Sequence, residues 1–283
     1  MNKNYLYIAS FAFLLFVGQV SSQDHLWTFD EGTGTTSADS GTSRNRVNAI
    51  LNNAQWRDLS KVGVGAAVHI TGADNSYVSF GNGRSGNMRG SGNNDNDNDR
   101  NNNNDNDRSN NRNNNNNNNG NNIGQFGTQD FTVAFWFQTN DYSVPLADLI
   151  GNRAASGHGN FFAVRLSSDG YVSAEVDQDA AGTNYIGVRS SQNRLNDGNW
   201  HQVVVVRSGR TLTLYIDGVY SNSGTSNGVA NINNGVVFKL GRSLVDRNTP
   251  RFAIDGVFDD VAIYNSAISA YQVKALDQGA TNQ

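Results

Sequence analysis

The sequence predicts an all-β protein: a two-sheet antiparallel jelly-roll sandwich with a short C-terminal helix and a long, disordered Asn/Asp-rich loop insertion. Three observations carry that expectation. Short runs rich in Val, Ile, Phe, Tyr and Thr recur along the chain, separated by Gly, Asn and Asp clusters, which is the grammar of strands and turns. Thirty glycines stand against two prolines, which suits many tight turns. The carboxylates are lopsided: Glu31 and Glu175 are the only glutamates, and every other acid is aspartate, a turn and cap residue rather than a helix former.

Taken from the start, Lys3 precedes an apolar stretch, Tyr5 to Val17, broken only by Ser10. Val20 and Ser22 supply the small residues of a cleavage site, so residues 1–22 are expected to be a signal peptide. The stretch falls short of the roughly 20 residues with stop-transfer flanks that a spanning helix needs. No other apolar run approaches membrane length, and the mature chain is expected to be secreted. Residues 23–283 fit a single sandwich, a fold that commonly uses about 200–250 residues. A net charge of −4 argues against a nucleic-acid partner, which needs a basic surface. The chain has no cysteine, which excludes thiol catalysis and thiolate metal sites and implies a core large enough to do without disulfides.

Asp24 to Phe80 alternates apolar and polar positions. Strands are predicted at Phe131–Phe137, Phe161–Leu166, Tyr171–Val176, Val236–Leu240 and Asp260–Tyr264. The run Val203-Val204-Val205-Val206 implies a strand covered on both faces. Ser208-Gly209 predicts a turn, after which Leu212, Leu214 and Ile216 alternate with polar partners. Asp217-Gly218 then gives a two-residue hairpin, because both residues tolerate positive φ. Ser269, with Gln272 three residues on, forms a capping box for a helix over Ala270–Leu276, and Gly279 lies just past its end.

Residues 84–124 have a different character. Asn93 to Asn119 contains nothing but Asn, Asp, Arg and one serine. Nothing there repays an ordering cost of about 1–2 kcal/mol per residue, so disorder is expected. Five arginines (84, 89, 100, 108, 112) balance five aspartates (95, 97, 99, 105, 107) across the segment. It is a polyampholyte rather than an acidic tail, suited to hydration and weak contacts. The chain contains no Asn-x-Ser/Thr sequon.

Five stretches in order resemble a known family. Leu26-Trp27-Thr28-Phe29-Asp30-Glu31-Gly32-Thr33-Gly34 and Asp74-Asn75-Ser76-Tyr77-Val78-Ser79-Phe80 are similar to the opening strands of laminin-G-like jelly rolls of the concanavalin A-like lectin/glucanase superfamily. Phe131 to Trp136, Asp197 to Val203 with the hairpin ending at Gly218, and Asp255 to Leu276 continue the resemblance. It implies one domain interrupted between Phe80 and Phe131, and it implies that Trp136 and Trp200 are core residues. It does not fix a function, since such folds carry lectins, adhesion modules, hydrolases and matrix proteins.

Chemistry is sparse. Glycoside hydrolysis needs two carboxylates about 5–10 Å apart. Glu175, Asp177 and Asp179 alternate and resemble the Glu-x-Asp-x-Glu signature of the superfamily's glucanases, but the last position is shortened by one methylene. His25, His69, His158 and His201 sit in no nucleophile motif and show no ligand spacing. No catalytic or cofactor-binding residue is therefore assigned. Calcium is the cofactor most compatible with the chain; Asp74-Asn75 is the best-placed pair, with Asp148 or Asp177 to complete a site, and no ligand is assigned. Trp27, Trp56, Trp136 and Trp200 are the natural sugar-stacking residues. The expected function is a secreted, non-catalytic extracellular matrix or scaffolding protein with a lectin-like domain, of the kind found in shell biominerals. Its partners would be polysaccharide, matrix protein or a mineral surface. A soluble calcium-dependent lectin is the alternative, and a glucanase-like hydrolase the second.

Overall fold

The computed structural model describes residues 22–58, 61, 65–73, 75–81, 123–154, 157–242 and 253–279. Residues 1–21 of the expected signal peptide and all of the Asn/Asp-rich tract but Ile123 and Gly124 lie outside the described residues, as does Asp74. Sixteen strands and one helix are described. The first half contributes β1 (His25–Trp27), β2 (Thr36–Ser37), β3 (Ala49–Asn52), β4 (Gln55–Arg57), β5 (Ala67–Thr71), β6 (Tyr77–Phe80), β7 (Phe131–Gln138) and β8 (Leu146–Gly151). The second contributes β9 (Phe161–Ser167), β10 (Val172–Asp177), β11 (Ile186–Arg189), β12 (Trp200–Ser208), β13 (Thr211–Ile216), β14 (Val219–Thr225), β15 (Phe238–Leu240) and β16 (Asp255–Tyr264). Helix α1 spans Ala270–Asp277.

The strands form two antiparallel sheets. One runs β14-β13-β12-β7-β16-β5-β4, with β1 also on β16; the other runs β11-β10-β9-β8-β15-β6-β3-β2. The main core lies between them and is built from alternate residues of facing strands, such as Phe135, Val203, Val205 and Leu214 from the first sheet and Phe162, Val164, Ala174 and Phe238 from the second. The four valines behave as their sequence implies. Val203 and Val205 enter the main core, while Val204 and Val206 point the other way, under α1, beside Val273 and Leu276. The helix is capped as expected: Ser269 accepts from Gln272 N–H, the Gln272 side chain accepts from Ser269 N–H, and Gly279 follows with φ 75°.

Asp217 and Gly218 both take positive φ, 50° and 69°, and join Ile216 to Val219 in the expected two-residue hairpin. The preceding turn is shifted by one residue. Ser208 still pairs with Thr211, so Gly209-Arg210 makes the turn, with Gly209 at φ 55°. Other boundaries also move for identifiable reasons. The opening strand stops at Trp27, because Phe29 sits at φ 53°. β15 begins at Phe238 rather than Val236, whose carbonyl is taken by the Gln125 side chain. β16 starts five residues earlier than expected and carries a bulge between Asp259 and Ala262, with Asp260 at φ 45°.

The tryptophans do not follow the resemblance. Trp27 is fully buried and donates to Val47 O at 2.8 Å, whereas Trp136 and Trp200 are half-buried and outside both core clusters. Trp136 lies opposite Gln202 and Asp259, with the Lys61 ammonium 4.4 Å from its ring centre.

Both ends of the tract meet on one ring. Phe80, at the end of β6, packs 5.9 Å from Phe238, and Phe126 packs 6.3 Å from the same ring. Gly124 lies so close that a Cβ would stand 2.3 Å from that ring. Arg207, 1% exposed, then fixes the returning chain by donating to the carbonyls of Gln129, Gly127 and Ala230 while its guanidinium covers Phe131. Burial pulls its pKa down, but only to about 10, so it stays charged at neutral pH.

Candidate binding site

The residues of β9 and β10 that face away from the core are Phe161, Ala163 and Arg165, and Ser173, Glu175 and Asp177. Their alternates Phe162, Val164, Ala174 and Val176 fill the core. On an ordinary solvent face these positions would be exposed. Here Phe161, Glu175 and Asp177 are buried. Loops close over them and leave a hollow of about 200 Å³ lined by Arg153, Gly157, His158, Phe161, Arg165, Glu175 and Tyr185.

Glu175 lies at its centre. One carboxylate oxygen accepts from Arg153 Nη1 at 2.9 Å and the other accepts from Arg165 Nη2. Arg153 comes from the chain just beyond β8, stacks 4.1 Å over Phe161 and also donates to Gly157 O. Burial and the neighbouring Arg165 charge lower the Arg153 pKa, and Glu175 works against them. The Nε of Arg165 is buried and meets no acceptor among the described residues.

His158 and Tyr185 form the rim, their rings edge to face at 5.5 Å. Asp177 accepts from His158 at 2.6 Å; a carboxylate can only accept, so Nδ1 carries the proton in this contact and Nε2 is the second ring nitrogen. Two glycines make room for these rings. A Cβ on Gly182 would stand 2.8 Å from the His158 ring, and one on Gly187 would stand 2.6 Å from the Tyr185 hydroxyl. The Tyr185 hydroxyl thereby lies over Gly187, the residue opposite Glu175. Burial raises its pKa, and the Glu175 charge adds to that.

Both Glu175 oxygens are engaged by guanidiniums, so neither is placed to attack a sugar or pass it a proton. Asp179, the third member of the alternating series, has left the strand and caps a turn by accepting from Ala181 and Thr183 N–H. Those bonds hold its carboxyl below the usual range.

Residues 111–274, more than half of the chain, match the laminin G 3 family of the concanavalin A-like lectin/glucanases superfamily. The chain belongs to this family. No curated protein matches it in sequence. The laminin-G-like sandwich is similar to the binding domain of Paraclostridial mosquitocidal protein 1, with a TM-score of 0.61 at 16% identity over 92% of this chain and 53% of that one. It is similar to the binding domain of botulinum neurotoxin serotype D/C VPI 5993, with a TM-score of 0.58 at 13% identity over 91% and 52%. The binding domain of botulinum neurotoxin DC in complex with SialylT gives 0.58 at 12% identity over 91% and 51%. The chain spans about half the length of these structures, and at such identities the likeness is one of fold.

The laminin-G-like fold scatters the other candidates. The Asn75 carbonyl accepts from Asn53 in a surface turn. Asp148 and Asp177 face Arg165 and Phe161, four residues apart on β9 or about 13 Å along the strand. Among the described residues no three His, Asp or Glu side chains are grouped to hold a metal ion. His25 is tied to Asp39 at 2.6 Å, His69 to Asp255 at 2.7 Å, and His201 to Asp217 at 2.9 Å. A larger hollow of about 420 Å³, lined by His25, Asn45, Ile123, Gln125 and Phe126 among others, gathers no comparable set of charges. The sequence points to the alternating Glu175, Asp177 and Asp179 and gives no local sign of Arg153, Arg165 and Tyr185. Arg165 lies on the non-core face of β9, while Arg153 just after β8 and Tyr185 just before β11 reach it only through the pairing of those strands.

Proposed function

We propose that the protein is a secreted, non-catalytic matrix protein whose laminin-G-like domain contacts polysaccharide through the hollow around Arg165. The observation that carries this reading is a pocket combining planar guanidinium donors, a phenol and an imidazole with aromatic walls, which is how a few directional polar groups orient a ligand. Its volume lies below the roughly 300–1,000 Å³ of pockets that enclose a whole small molecule, so it suits one unit of a longer chain. The Asn/Asp-rich segment serves as a hydrated extension that touches water, calcium or a mineral surface. The anchoring of Phe80 and Phe126 on one ring supports reading that segment as an insertion in a single domain.

A glycan array with and without chelator tests the domain. Binding that survives chelation is expected; binding lost on chelation favours the calcium-dependent lectin instead. The tract is tested by deleting residues 84–122, which should lower retention on calcium carbonate or chitin. Equal retention removes its role.

A further inference from the structure

We infer that the hollow recognises an acid group on its saccharide, a carboxylate or a sulfate, and that Glu175 occupies that group's place in the free protein. This rests on the polysaccharide reading above and names the ligand chemistry. Two guanidiniums converge on one oxyanion position, each giving one N–H to one Glu175 oxygen. A neutral sugar needs no such convergence, whereas planar carboxylates and sulfates match it through paired charge-assisted bonds. Donors also exceed acceptors. Arg165 keeps a buried Nε–H without an acceptor among the described residues, and the Tyr185 hydroxyl lies over Gly187, which pairs with Glu175. Three carboxylates stand around Arg153 and Arg165, namely Glu175, Asp148 opposite Arg165 and Asp177 beside His158, so the site offers no net positive charge, on a chain whose net charge is −4. Long-range attraction for an acidic polymer is therefore weak, and recognition depends on contacts inside the hollow.

A resident carboxylate makes the site self-competing. An incoming acid group must displace Glu175 or share the guanidiniums with it, so the wild-type protein binds weakly. Removing the Glu175 charge opens the position.

Titration calorimetry on the chain without residues 1–22 would use three probes: an oligogalacturonate, a sulfated galactan oligosaccharide and neutral cellohexaose. The wild type should bind at least one acidic probe, and whichever is tighter identifies carboxylate or sulfate as the group. Glu175→Gln should bind that probe about tenfold more tightly, the scale of one charge-assisted hydrogen bond. Arg165→Lys keeps the charge but loses the planar guanidinium that meets the acid group and should bind about tenfold more weakly. Melting curves in inorganic sulfate supply a readout free of the saccharide: sulfate should raise the melting temperature of Glu175→Gln more than that of the wild type. Cellohexaose bound alone, with Arg165→Lys unaffected, overturns the inference and leaves the polysaccharide reading intact. No binding of any probe by the wild type ends both. Unchanged or weaker acid binding by Glu175→Gln overturns the competing role of Glu175.

Discussion

Asp259 is 3% exposed on the bulge of β16 and accepts from the backbone N–H of Lys61 and of Asp260. The Lys61 ammonium reaches Asp260, at 2.5 Å, and the Trp136 ring instead. Burial, and then the Asp260 charge, push the Asp259 carboxyl up to about 7. An acid whose folded pKa is raised keeps its proton in the folded state, so stability falls as pH rises from its ordinary value near 4 to about 7. At about 1.4 kcal/mol per unit, the full span is on the order of 4 kcal/mol. His201 acts in the same direction at higher pH. Burial would lower its pKa, but Asp217 and Asp197 outweigh that and raise it, so the stability they confer is lost as pH climbs through the folded value. Asp39 sets the other flank: burial opposes, but His25 and the N–H groups of Val47, Gly41 and Leu26 hold its carboxyl low, and their contribution disappears in acid. The melting temperature should therefore peak in mild acid. Asp259→Asn should match the wild type near pH 4, exceed it near pH 8 and leave only the shallower His201 slope. A wild-type melting temperature that is level from about pH 5 to pH 8 would refute the account.

Elements whose signals are local are legible in the sequence itself. Asp217-Gly218 and Ser269-x-x-Gln272 specify their turn and cap within four residues, and the valine run announces two covered faces. The bulge at Asp260 and the early stop after Trp27 depend on non-glycine residues at positive φ, which composition does not announce. The hollow was illegible for a different reason. Arg153, Arg165, Glu175 and Tyr185 are brought together by the pairing of β8, β9, β10 and β11, and a one-residue slip in any pair would turn a side chain to the other face. β11 offers a direct test of that construction. Gly187→Ala places a methyl where the Tyr185 hydroxyl now lies, forcing the ring to lift. Alanine suits a strand better than glycine, so the melting temperature should hold or rise slightly while polysaccharide affinity drops several-fold. Unchanged affinity would show that Tyr185 does not contribute from its present position.

At the scale of the molecule, the tract leaves β6 and returns before β7 at adjacent points on Phe238. Its closure cost grows only with the logarithm of its length, so replacing residues 84–122 by a short link should raise stability by no more than about 2 kcal/mol and leave the circular dichroism spectrum unchanged. Ile123 and Gly124 stay in that variant, because Ile123 is buried and Gly124 lies against the Phe238 ring. A collapse of cooperative unfolding would mean that the segment is part of the core. The shared anchor also governs how the protein would carry load. A pull on a surface-held tract enters and leaves the sandwich at the same ring, so the sheets are not stretched from end to end. The stress concentrates on Phe80, Phe126 and the carbonyls gripped by Arg207, and that corner sets the force at which the module gives way.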